Sequence, residues 1–150
     1  MKCVVNQGAR HNQQDIDRRC EIAIFYLMFV RKINTIASFE AGDKSLLKEI
    51  LHPAKHPVDI RYSLAWATVK SGQKTESHRL VHAEVYHILR GQGRVSINNE
   101  ENDVEETDTV YIPPHATQWI ANTGEIDLEF LCIVDPAWEP RIETILARER

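Results

Sequence analysis

Between residues 61 and 135 the chain alternates apolar stretches with turn formers. "RYSLAWATV" (61–69), "EVYHILR" (84–90), "GRVSIN" (93–98), "DTVYIPP" (108–114), "QWIAN" (118–122) and "LEFLCIVD" (128–135) are short and rich in β-branched and aromatic residues. "KSGQK", "RGQG", "NNEEND", "PPHAT" and "NTGEID" stand between them. Short apolar runs bounded by glycine, proline and asparagine are strand and turn signals, and a series of them predicts an all-β closed barrel or sandwich. No helix-length segment interrupts the series, which disfavours a doubly wound α/β sheet.

The flanks read differently. In "AGDKSLLKEILHP" (41–53), Asp43 is a candidate N-cap, Leu46, Leu47, Ile50 and Leu51 have helical spacing, and Pro53 stops the run. A short helix or a capped turn fits, and a strand across Leu47–Leu51 is the alternative. At the other end, "RIETILARER" predicts a last helix with Ile142, Ile145 and Leu146 facing inward. Residues 1–20 are polar and without sustained period, and Met28 opens a plausible start, "MFVRKIN". The expected organisation is a dispensable extension over 1–27, an N-terminal strand and short helix or turn over 28–60, a barrel over 61–136, and a C-terminal helix over 137–150.

Composition narrows the function classes. With 150 residues, 43% hydrophobic and 27% charged, the chain has the make-up of one soluble globular domain. A net charge of −4 gives no footprint for nucleic acid. The longest apolar run, "IAIFYLMFV" (22–30), is too short to span a bilayer, which takes about 20 helical residues. Cys3, Cys20 and Cys132 are odd in number and far apart, which argues for a reducing compartment and a cytoplasmic protein. Cys132, inside "FLCIV", reads as a small buried hydrophobe.

The chemistry concentrates in "SHRLVHAEVYH" (77–87). His78, Leu80, His82 and Glu84 fall at every second position, so an unbroken strand puts all four on one face. Three of them are types that bind metals or move protons. A bend between residues 79 and 83 would turn His82 outward. His87 has the opposite parity, His115 sits in the "PPHAT" turn, and His52 and His56 read as loop histidines. Gly91 and Gly93, in "GQG", read as turn glycines with positive φ.

Two stretches resemble the motifs of the cupin family. The first family motif, G-x5-H-x-H followed by E-x6-G, is matched by Gly72, His78, Glu84 and Gly91, with Leu80 at the second histidine. The second, G-x5-P-x-G-x2-H-x3-N, is matched by Pro113 and Asn122, with Thr107 and His115 at its two glycines and Gln118 at its histidine. The resemblance covers about residues 60–136. It implies a double-stranded β-helix, or jelly-roll barrel, with short helical or irregular ends, usually paired as a homodimer. The apolar segment 22–30 would give that dimer an edge to cover. In the family, two histidines and the glutamate of the first motif join the histidine of the second around one divalent metal. Carried over, the ligands are His78, Glu84 and Gln118; the parity of His82, which the motif does not include, makes it a candidate relocated ligand, and such a mixed donor set suits Zn, Fe, Mn or Ni. Glu84 could alternatively serve as general base.

Two function classes follow. One is a metal-dependent enzyme, an oxygenase, isomerase or similar, acting on a small molecule. The other is a barrel without metal that binds a small polar or sugar-like molecule and performs no chemistry. No nucleic-acid or membrane partner is expected in either.

Overall fold

The computed structural model describes residues 28–146, so the extension over 1–27 and the last four residues lie outside it. Residues from Arg31 onward form one compact unit, distinct from the segment ending at Val30.

That unit is nearly all β. Its strands are β1 (Phe39–Glu40), β2 (Leu46–Leu51), β3 (Ser63–Val69), β4 (His78–Leu80), β5 (Ala83–Arg90), β6 (Gln92–Ile97), β7 (Glu100–Glu105), β8 (Thr109–Ile112), β9 (Gln118–Asn122), β10 (Leu128–Asp135) and β11 (Glu143–Ile145). One sheet has the order β1-β2-β3-β10-β5-β8 and the other β11-β4-β9-β6-β7. All pairings are antiparallel. The six alternating stretches became β3, β5, β6, β8, β9 and β10. Their inward side chains meet between the sheets, because successive residues of a strand point to opposite faces. On β5 these are Glu84, Tyr86 and Ile88; on β9, Gln118, Ile120 and Asn122; on β10, Leu128, Phe130 and Val134.

The interior is graded along the strands. At one end Ile88 pairs with Phe130 and Val95 with Ile120, and these four pack with Leu128 and Val104 into a filled core. Asn122 closes that end: its amide donates to Val69 O at 2.9 Å and Ile126 O at 2.7 Å, and its Oδ1 accepts from Gly124 N. At the other end Val134 pairs with Glu84 and His78 with Gln118, so polar side chains replace the apolar filling.

Several expectations are corrected here. The C-terminal helix is a single 3-10 turn, Pro140–Ile142, followed by strand β11. Ile142, Ile145 and Leu146 have helical spacing, but β4 offers an open edge that Glu143–Ile145 pairs with, and only Ile142 of the three is buried. Of the alternatives for residues 41–53, the capped turn and the strand are found, and the helix is not. Asp43 Oδ1 accepts from Ser45 N and Ser45 Oγ, and Leu46–Leu51 run on as β2. "NNEEND" is a turn only at Asn98 and Asn99, whose φ of 50° and 69° suit a two-residue hairpin; the rest is strand β7. Gly91 has positive φ, but Gly93 lies within β6 and serves close packing, since a Cβ there would meet Leu128 Cδ2 at 2.7 Å and Ala121 O at 2.8 Å.

Candidate functional site

His78, Glu84 and Gln118 converge, although not as neighbours on one strand. The expected continuous strand breaks at Val81 and His82: β4 belongs to one sheet and β5 to the other. Val81 N donates to Ile142 O, which anchors the crossing. His78 and Gln118 therefore stand side by side on one wall, and Glu84 faces them from the opposite wall. All three are buried, at 4%, 1% and 6% exposure for His78, Gln118 and Glu84.

His82 does not join them. It sits in the bend between the sheets, and its Nδ1 bonds Pro136 O at 2.8 Å. Its parity with Glu84 counted residues along a strand that is interrupted between them, which overturns its placement as a ligand. His87 also faces away, bonded to Thr109 Oγ1.

The geometry of the three is specific. Gln118 Nε2 donates to Glu84 Oε2 at 2.8 Å, while Gln118 Oε1 is buried with no hydrogen-bond partner among the described residues. His78 Nδ1 bonds Glu76 O at 3.0 Å. A carbonyl only accepts, so Nδ1 carries the proton and, in the neutral ring, Nε2 is an acceptor. Nε2 has no hydrogen-bond partner among the described residues. Burial pushes the Glu84 carboxyl up to about 7. His78 and the Gln118 hydrogen bond oppose that rise, and the charges of Asp43 and Glu143 add to it.

His78 and Glu84 border a cavity of about 340 Å³, and Gln118 stands behind Glu84, outside its lining. Its apolar wall includes Leu47, Leu64, Leu80, Phe130, Val134 and Trp138, and Tyr86 and Cys132 also line it. Burial raises the Cys132 thiol and the Tyr86 hydroxyl well above their ordinary values, so both stay protonated. Sequence reasoning missed Asp43 and Glu143 as cavity groups. Asp43 comes from the β1–β2 turn, with Oδ2 4.0 Å from His78 Nδ1. Glu143 opens β11 opposite Leu80, and its Oε2 accepts from Trp138 Nε1 at 3.2 Å. His52 reaches the cavity but is fully engaged, with Nε2 on Trp138 O and Nδ1 accepting from Ala54 N. The one local signal at Asp43 was its reading as a candidate cap of a helix or turn.

The donors do not fit a divalent metal of the family type. Leu80 occupies the second histidine position and cannot coordinate. Gln118 turns its N–H, not its oxygen, toward Glu84. Among the described residues no group of three His, Cys, Asp or Glu side chains is arranged to hold a metal ion.

Comparison with known proteins agrees with the architecture. The sequence pattern of the cupin domain matches residues 65–134. An uncharacterized protein of Methanocaldococcus jannaschii is 37% identical over 112 residues, which is 74% of this chain and 89% of that one. A cupin 2 conserved barrel domain protein from Salinispora arenicola superposes with a TM-score of 0.64 at 14% identity, covering 77% of this chain and 92% of that chain. Pac13, a nucleoside dehydratase from Streptomyces, superposes with a TM-score of 0.65 at 18% identity, covering 80% and 92%. Two antiparallel sheets, the motif positions around His78 and Gln118, and the match along β3 to β10 have one common origin: the chain belongs to the cupin family.

Proposed function

We propose that this chain is a small-molecule cupin that works without a resident metal, with Glu84 as the proton-carrying group of its cavity. The observation that carries this is the buried Glu84–Gln118 hydrogen bond, formed where the family's metal ligands stand. A carboxyl that titrates near neutrality can both give and take a proton, which is what general acid–base chemistry needs. Gln118 suits both protonation states. Its N–H bonds the carboxylate, and a rotation of the amide lets its unpartnered Oε1 accept the O–H of the acid. His78, fixed by Glu76 O, offers Nε2 as the second proton-transfer group across the gap.

Proton transfer of this kind serves eliminations and isomerisations. The fold is compatible with such chemistry, since a nucleoside dehydratase shares it. Fold does not name a reaction, and the assignment rests on the residues. The test is elemental analysis of dialysed protein together with a ¹³C-carboxyl titration. No stoichiometric transition metal is expected, and one glutamate signal, absent in Glu84→Gln, should titrate about pH 7. A tightly held metal at one equivalent would replace this reading with the metal-dependent one.

A further inference from the structure

We propose that the cavity selects a small organic cation, an amine on an apolar or aromatic body, and rejects carboxylate and phosphate ligands. This rests on the reading of the cavity as a small-molecule site and names the class of molecule it takes.

Five carboxylates line the cavity; Glu40 and Glu49 are paired with Lys44 and Lys55, whereas among the described residues no lysine or arginine pairs with Asp43, Glu84 or Glu143. Lys55 does line the cavity, but its Nζ is held by Glu49 at 2.7 Å. His78 supplies a second, independent observation. Its side chain is 5% exposed, it lines the cavity, and its Nε2 lacks a partner among the described residues. Because Nδ1 donates to Glu76 O, Nε2 of the neutral ring asks for a donor. An ammonium carries three N–H groups and a positive charge, and it satisfies both the imidazole and the carboxylates. Above the titration of Glu84, as at pH 8, an anion would face the like charge of these carboxylates in a poorly solvated space, which opposes its entry.

The rest of the wall selects the body. Phe130 and Trp138 stand over the same cavity, and aromatic faces attract cations as well as apolar groups. A bare metal ion has nothing to gain from that surface.

A matched set of benzylamine, benzyl alcohol and benzoate separates charge from shape. Titrations at pH 8 are read at the indole N–H resonance of Trp138, which bonds Glu143 directly. Benzylamine is expected to bind at least tenfold more tightly than benzoate, with benzyl alcohol between. In Glu143→Gln and Asp43→Asn, each checked for a native spectrum, that preference should fall at least threefold. Benzoate binding as well as benzylamine overturns the charge selection while leaving the cavity as a ligand site. Equal preference in both variants also overturns it, because the cation would then sit elsewhere. Binding by none of the three overturns the selection and the small-molecule reading together, whereas a metal found by elemental analysis bears on the proposed function alone.

Discussion

Thr107 and His115 stand where the family motif has glycines, and both keep the glycine conformation, with φ of 79° and 64°. Left-handed backbone is costly for a β-branched residue, because its Cβ crowds the following carbonyl. Thr107→Gly is therefore expected to raise stability by about 1 kcal/mol, net of the entropy glycine loses on folding. His115→Gly should gain less, since histidine tolerates this region better. Urea denaturation measures both, and a loss of stability in Thr107→Gly would show that the strain is absent. Glu84 makes a second residue-scale prediction. Its folded carboxyl titrates about 7, above the ordinary 4.5, so between these values the folded chain holds a proton that the unfolded chain has released. Its contribution to stability is full below pH 4.5, falls as pH rises to 7, and then stays flat, a change of roughly 3 kcal/mol. His78, Gln118, Asp43 and Glu143 all face this carboxyl and are included in that balance. Glu84→Gln should match the parent near pH 4 and exceed it at pH 8. A constant difference across that range would mean Glu84 does not titrate in the fold.

At the scale of elements, what was legible depended on apolar patterning. β5 and β9 bury every second residue, while β3 and β10 are near-continuous apolar runs bounded by turn formers, and both patterns read as strands. β7 buries only Val104 and is otherwise an exposed edge, so its "EENDVE" carries turn-like polarity. β11 is three residues long, and its neighbours happen to repeat at helical spacing. The site was legible in the same measure. His78, Glu84 and Gln118 sit at motif positions, whereas Asp43, Glu143 and Trp138 arrive from the two flanks through tertiary packing that no local pattern records. Gly93 tests the packing of these elements. Gly93→Ala should destabilise the fold by about 2 kcal/mol, because the added methyl meets the fixed backbone of Ala121 as well as Leu128. A thermal melt unchanged from the parent would show that β6 has room the geometry denies.

For the whole molecule, we expect a homodimer. Strands β1 and β8 end the six-stranded sheet and leave Phe39 and Tyr111 exposed, and uncovered apolar edges invite a second copy. Light scattering should return twice the 17.3 kDa chain mass, and a monomer at micromolar concentration would refute this.

The crossing at Val81 and His82 sets a limit on what the cavity admits. From Leu80 on one wall to Ala83 on the other, the chain has three residue steps, which stretch to roughly 11 Å at most. Packed sheets already stand about 10 Å apart. The link is short and bent at Val81 and His82, so it ties the β4 wall to the β5 wall and limits how far His78 and Glu84 can separate. Lengthening the Val81–His82 link would therefore sacrifice the registry of the two proton-transfer groups.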